Sequence, residues 1–558
     1  MDAKYKFLNG LKQGESADIS QGLQECTDLA FPKTGLVTSV KENDTPQVYG
    51  AQVHSLGLEG LVTLDPLLAG VGTSLYYGPT ALKTDFSGAR FEFSSLLGRM
   101  YFINNSDGLW FYDGTAPLYK AGAPEVSGTV TAVTDGSGTG GLTGTYNIKV
   151  TFVNANGFEG NPSAATSVVV GAGDGIDLTN IPVNSDTNYN ISSRRVWIQG
   201  GTTPLYANYV LAETISDNTT TTRNTVVTEI DPSTLLETDN DVPPPAEWVF
   251  EHYGVFFFGR LATDLNLLQY SKTNRVEQSP VTNAIRVSRS GDPMMWGTKW
   301  NGAAFIITRK RAFQVIGSPG QGVLSTNFYL KETASEKGTI AGRSVVPTPR
   351  GMFWFAEDGI RVFNGDTSEI FSHDVDDEIA ARNPSDAAEA LTTGTYIDNK
   401  LIMSFAVGSS SVPNRTVVYD FTTDKWSAHD GGYQVFAPDR KNNYLNCGTD
   451  QGIARFQLGL QYLPWSLKKQ FVTDIDKYTS WQKFQVDMDG SCTAEVYIDG
   501  TLQQSYSIAT AGRQAIVNRM PSTMGVRADV RLLTSAKKST QDTVYDITVK
   551  GEPARESI

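Results

Sequence analysis

Two stretches of this chain, one near residue 100 and one near residue 352, repeat a single pattern, and an internal repeat constrains a fold more tightly than any composition does. The first reads Gly98-Arg99-Met100-Tyr101-Phe102-Ile103, then Asp107-Gly108-Leu109-Trp110-Phe111-Tyr112-Asp113-Gly114. The second reads Arg350-Gly351-Met352-Phe353-Trp354-Phe355, then Asp358-Gly359-Ile360-Arg361-Val362-Phe363-Asn364-Gly365. In each, an aromatic-rich run meets Asp-Gly, a short apolar run follows, and a second Asp-Gly or Asn-Gly closes the unit. Asp and Asn tolerate left-handed backbone and Gly adopts positive φ without a Cβ clash, so both copies predict strand, turn, strand, turn. The residues Asp107, Gly108, Asp113, Gly114, Asp358, Gly359, Asn364 and Gly365 are therefore expected to be structural turn residues. A weaker third copy runs from Asn443-Tyr444-Leu445-Asn446 to Asp450-Gln451-Gly452-Ile453-Ala454-Arg455-Phe456.

Other hairpin-like pairs lie between these copies: Gly254 to Ala262 leading to LLQYSK, Asn301 to Gly320, and Thr416-Val417-Val418-Tyr419-Asp420 with Asp424-Lys425-Trp426. With 53 Gly and 24 Pro but only 19% charged residues, the chain is built for many short strands and tight turns. The expected class is all-β, with a β-propeller favoured over a set of unrelated hairpins because the near-duplicate pair is more specific than strand density. The one helix expected is short, over Val375 to Arg382, with His373 or Asp374 as its cap.

The propeller pattern is interrupted. Residues 121–245 begin Gly-, Ser- and Thr-rich and end at Pro243-Pro244-Pro245, and within them Gly144 to Val153 alternates with period 2 before an Asn156-Gly157 turn. An inserted fibronectin type III-like β-sandwich accounts for this stretch. At about residue 461 the composition shifts again, and FQVDMDGSCTAEVYIDGTLQQSYSI reads as three strands separated by turns at Asp489-Gly490 and Asp499-Gly500. The expected organisation is an N-terminal segment with the first blades over 1–120, the insert over 121–245, the remaining blades over 246–460, and a C-terminal β domain or propeller-closing strands over 461–558.

Signatures of catalysis are not found, and no catalytic, cofactor-binding or metal residue is assigned. Gly136-Ser137-Gly138-Thr139-Gly140-Gly141 spells G-x-G-x-x-G, but a strand follows it where a dinucleotide site needs a helix, so it reads as a linker. The histidines His54, His252, His373 and His429 are scattered singly, and Cys26, Cys447 and Cys492 show no ligand spacing. The acidic run His373 to Glu378 lacks the spacing of a calcium loop. Ser106-Asp107-Gly108-Leu109-Trp110 has the letters of a sialidase box at the wrong spacing, and turn chemistry suffices for its aspartate. A net charge of -14 argues against a protein that grips nucleic-acid phosphates. No apolar run approaches the roughly 20 residues of a membrane span and the N-terminus lacks a signal-peptide core, so a soluble protein with no membrane anchor, made in the cytoplasm, is expected.

Several segments, in order, resemble the tail nozzle (tail hub or tail tubular) proteins of short-tailed bacteriophages. They are GTYNIKVTFVNANGFEGNPS, RRVWIQGG, PPP with HYGVFFFGR and LLQYSKTNRVE, FIITRKRAFQVIGSPG, and GTIAGRSVV with GMFWFAEDGIRVFNGD, which lie between Gly144 and Asp366 within a resemblance over roughly residues 95–500. The resemblance implies a propeller with a fibronectin-like insertion, in a hexameric ring of identical subunits in the virion tail. Its partners would be the head-to-tail adaptor above, tailspikes or fibres outside, a needle or plug at the tip, and genomic DNA passing through the lumen. An acidic lumen would repel phosphates and let DNA slide. The alternative is a glycan- or receptor-binding phage tail propeller protein.

Overall fold

The computed structural model describes residues 2–5, 25–27, 29–33, 36–39, 44–57, 67–224, 230–288, 291–318, 327–442, 444–456, 466–472, 479–525, 527–535 and 538–553. The chain is all-β, with short antiparallel meanders dominating and helices confined to single turns. It divides into two compact units, one of residues 59–306 and 313–332, the other of 1–58, 307–312 and 333–558. Asn443, the first residue of the weak third copy, Pro319-Gly320 at the end of the 301–320 hairpin, and residues 1 and 6–24 lie outside the described residues.

In the first unit, strands Leu68–Val71, Ser74–Tyr77 and Thr80–Lys83 form one meander, and Glu92–Leu96, Arg99–Asn104, Gly108–Tyr112 and Tyr119–Lys120 form the next. After the insert come Ala246–His252, Val255–Leu261, Leu267–Tyr270 and Ala284–Arg286. The central strands are apolar at nearly every residue because both of their faces are covered. Along Arg99–Asn104, Tyr101 and Ile103 share a core with Phe256 and Phe258, while Met100 and Phe102 share another with Leu68, Leu75 and Phe86. Val255 and Phe257, on the opposite face from Phe256 and Phe258, pack with Met294, Val315 and Phe328 of the 294–332 strands. Edge-to-face pairs such as Tyr101–Phe256 at 5.1 Å and Phe257–Phe328 at 5.0 Å set how each sheet lies on its neighbour. These sheets stack face on face.

The second unit repeats the scheme with Val346–Thr348, Gly351–Ala356, Gly359–Phe363 and Ser368–Ile370, then Thr393–Ile397, Lys400–Phe405, Arg415–Asp420 and Lys425–Asp430. Val435–Asp439, Tyr444–Gly448 and Gly452–Arg455 follow, and their sheet is completed by Asp44–Val48 from the other end of the chain. Again a central strand serves two cores, with Leu401, Met403 and Phe405 on one and Ile402 on the other.

The insert is a β-sandwich. A five-stranded sheet (Thr166–Asp174, Leu142–Asn154, Ile191–Gly200, Tyr206–Ile215, Asp231–Leu235) faces the pair Thr131–Thr134 and Ile176–Thr179 across a shared core of Tyr146, Ile148, Val150, Leu178, Val196 and Ile198. Its alternating strand Leu142–Asn154 sits at the heart of that core.

Two local expectations need correction. The helix read over Val375–Arg382 spans only Asp376–Ala380, after a 3-10 turn at His373–Val375, and its cap residue Val375 makes no side-chain hydrogen bond. A separate turn of helix, Asp386–Glu389, is capped by Ser385 Oγ, which accepts from the Ala388 N–H. Pro384 divides the two, since the residue before a proline is pushed out of helical backbone. In the C-terminal region Asp489-Gly490 is no hairpin turn. Strand Thr479–Ile498 runs straight through it, with a register shift there and an extra contact from the Ser491 N–H to Asp542 Oδ1. Only Asp499-Gly500, at φ +45° and +82°, reverses the chain, into Thr501–Gly525.

Gly359 shows what the second repeat demands. Its φ is +136°, a Cβ would sit 2.6 Å from Ser372 Oγ, and that hydroxyl accepts the Ile360 N–H. Gly359→Ala is expected to cost about 1–3 kcal/mol. Thermal unfolding checks this, and an unchanged midpoint would show that the turn relaxes freely.

Candidate functional site

Built from the residues upward, the repeat turns are structural points rather than one shared site. Asp107 closes its turn by accepting from Ser87 Oγ (2.6 Å), the Ser87 N–H (3.1 Å) and Asn104 Nδ2 (2.8 Å), while Asn104 Oδ1 accepts the N–H groups of Ser106 and Asp107. Trp110 Nε1 donates to the Asp107 carbonyl, tying the repeat's tryptophan to its turn. Asp113 accepts from Thr115 N and Oγ1, and Asn364 Oδ1 from the N–H groups of Asp366 and Thr367. Gly108, Gly114 and Gly365 all have positive φ. Asp358 lies 3.7 Å from Arg361 of the following strand. In each copy the two turn pairs stand at opposite ends of one strand, Gly108–Tyr112 or Gly359–Phe363.

One densely connected buried polar cluster carries no signal in the sequence. Glu277, in the loop between Leu267–Tyr270 and Ala284–Arg286, is fully buried. Its Oε2 accepts the Gly122 N–H at 2.8 Å and Asn154 Nδ2 at 2.7 Å, and its Oε1 takes Asn156 Nδ2 at 3.4 Å and Arg99 Nη1 at 3.3 Å. Arg99 also donates from Nη2 to Asn156 Oδ1 and lies over the Phe111 ring at 5.1 Å. One carboxylate thus holds the entry to the insert (Gly122), the insert's own turn (Asn154, Asn156) and the repeat strand before it (Arg99). Gly122 is required, with φ +95° and a virtual Cβ 2.8 Å from the Glu277 carbonyl.

The exit of the insert is moored to the same loop. Ser279 donates its N–H to the Asp241 carbonyl, Gln278 Nε2 donates to the Glu159 carbonyl, and Lys272 Nζ reaches Asp239 Oδ1 and Asn240 Oδ1, both at 2.7 Å. Burial pushes the Glu277 carboxyl above its ordinary range, against the lowering effect of the Gly122, Asn154, Arg99 and Asn156 contacts. The chemistry available is positioning, since the group is sealed from water and no reactive partner faces it.

A cavity of about 310 Å³ lies beside the second repeat. Its lining includes Phe353, Phe371 and Phe421 together with Arg350, Asn364 and Glu369. Arg350 stacks over Phe421 at 5.0 Å and donates to the Phe421 carbonyl and Asp424. Phe353 and Phe421 are almost wholly buried, so little aromatic face meets the cavity. Among the described residues no three His, Cys, Asp or Glu side chains are grouped to hold a metal ion, and no helix is long and apolar enough to cross a membrane. His54, His252 and His429 are buried in strands and His373 is exposed in the 3-10 turn; burial raises the Cys447 and Cys492 thiols, Cys492 to about 12.

No protein-family profile matches the sequence, and no curated protein matches it. Solved structures align at low similarity. An exo-β-1,3-galactanase from Phanerochaete chrysosporium with galactose is 8% identical, covering 84% of this chain and 97% of its own, with a TM-score of 0.19. A glycoside hydrolase family 43 arabinoxylan arabinofuranohydrolase from Bacillus subtilis gives 9% identity, coverage of 78% and 96%, and a TM-score of 0.14. A carbohydrate-binding module, CBM36, in complex with calcium and xylotriose covers 20% of this chain and 95% of its own at 14% identity and a TM-score of 0.13. At such TM-scores these likenesses assign no function.

Glu277→Ala leaves Arg99, Asn154 and the Gly122 N–H without their buried acceptor, and is expected to cost about 3–5 kcal/mol and to open the 121–130 linker to protease. The raised carboxyl also sets a pH dependence. The folded state keeps the proton to higher pH than the unfolded chain, so this contribution is full below the ordinary value of 4.5 and is lost as pH rises through the raised one. Glu277→Gln should remove that slope from a stability-against-pH series, and an identical slope in both proteins would place its origin elsewhere.

Proposed function

We propose that this chain is a structural virion protein, one subunit of a hexameric tail nozzle below the head-to-tail adaptor, forming a channel for genome ejection and a platform for tailspikes or fibres. The observation that carries the reading is the position of the 131–235 sandwich between the 92–120 and 246–286 meanders. That is the arrangement implied by the order of nozzle-like segments in the sequence.

On this reading the meanders follow one another around a closed propeller. Asp44–Val48, paired with Gly452–Arg455, would be the strand that joins the two ends of the circle. The Glu277 clamp would hold the insert in one orientation, as a ring of identical subunits requires if each insert is to meet the same neighbour. The protein works by shape and acts on no substrate.

The second reading, glycan or receptor binding by a tail propeller, is favoured by the cavity beside Asn364, which offers apolar and polar walls together.

Native mass spectrometry of the purified full-length protein separates them. A mass of six subunits, with a central hole by negative-stain microscopy, is the expected result. A strictly monomeric protein that binds galactose or a related sugar, with binding lost in Arg350→Ala, would overturn the nozzle reading in favour of the second.

A further inference from the structure

We propose that the outer edge of strand Thr501–Gly525 is where a second copy of this chain docks, adding an extended segment of its own to the sheet. The inference rests on the ring reading above and names one of the two patches such a ring needs.

Thr501–Gly525 pairs on one side with Thr479–Ile498 and, among the described residues, with no strand on the other. The partner strand Thr479–Ile498 is covered on its far side by Thr543–Pro553 and Arg527–Leu533, so the hairpin's free rim belongs to Thr501–Gly525 alone. A free edge of 25 residues exposes alternate backbone N–H and C=O groups to any extended chain. Proteins that stay single protect such edges with inward or flanking charges, prolines and bulges.

Here the protection is partial and unevenly placed. The strand contains no Lys, Asp or Glu. Register shifts around 511–513 and at 520–522, the latter with Pro521, leave two regular runs, Gln504–Thr510 and Gln514–Arg519. The second run, Gln-Ala-Ile-Val-Asn-Arg, has the β-branched content that favours pairing. Val517 is 52% exposed, and the Asn518 Nδ2 is out of water with no acceptor. Leu502 and Met524, at either end of the strand, are likewise exposed. The Arg519 carbonyl is already taken by the Tyr506 hydroxyl, which marks where the open run stops.

Charge identifies the occupant. The strand carries Arg513 and Arg519 with no acid, whereas the whole chain carries -14. Arg513 is held by Asp487 at 2.7 Å, and Arg519 is exposed beside the open run. With Arg513 neutralised by Asp487, Arg519 is the charge this edge presents, and on a strongly acidic protein it is complementary to another copy of that protein. An incoming strand would take the outward amides of 514–519 and cover Val517.

The test is hydrogen–deuterium exchange and native mass spectrometry on the full-length protein, with Val517→Asp and Arg519→Glu as variants. Both sites are exposed, so unchanged thermal melting is expected of each. In the assembled protein the amides of 514–519 should be protected relative to the dilute subunit. Each variant should need about tenfold more protein to assemble, the change expected from an uncompensated charge costing about 1.4 kcal/mol at the contact. Rings that form at the same concentration in both variants, or with 514–519 still exchanging fast, overturn this inference and leave the ring reading standing. A wild-type protein that never assembles overturns both. Protection that arises only when a different virion protein is added shows another occupant and overturns the assignment to a second copy.

Discussion

The constraint on which this structure depends is that the sheets of its repeated meanders bury both faces. A sheet with one wet face alternates apolar and polar residues, but Arg99–Asn104, Val255–Leu261 and Gly351–Ala356 are apolar almost throughout. Such a sheet cannot exist alone, because removing its neighbour would expose a row of Phe, Tyr, Trp and Ile side chains. Phe102 and Tyr101 therefore serve different cores although they are adjacent in sequence, as do Phe256 and Phe257. Repetition follows from the burial pattern, and within each unit each meander is the packing surface of the next.

Interrupting a stack of that kind requires a device that keeps the interruption from disturbing its neighbours. The insert leaves after Lys120 and returns before Ala246, and both junctions are held by the 272–281 loop. Glu277 is sealed from water, so its carboxylate can satisfy several backbone and amide donors at once without competition. The positive-φ glycine at 122 lets the chain pass close enough for that contact.

Much of this was legible in the sequence, for identifiable reasons. Asp107-Gly108 and Asp358-Gly359 could be read as turns because left-handed backbone restricts which residues are tolerated, and the strands between them follow. The period-2 run from Gly144 announced a strand of a separate, two-layered core. The Glu277 clamp was not legible, since its partners Arg99, Gly122 and Asn154 lie more than 100 residues away and Glu in a loop is ordinarily a solvated residue. Asp489-Gly490 misled because the same pair suits a bulge as well as a turn, and only its neighbour Asp542 distinguishes them. The short helix after Pro384 gave too few residues for periodicity to register.

On the proposed nozzle reading, the stacked meanders, the clamped insert and the open strand edge belong to a part held in an assembly. Cryo-electron microscopy of a short-tailed virion assembled in the presence of this protein tests that proposal most directly. The account predicts six copies around the tail axis below the adaptor, each with its 131–235 sandwich in the same orientation and a central channel wide enough for duplex DNA. Density that places the protein off the axis as a peripheral attachment, or single copies with no channel, would contradict it.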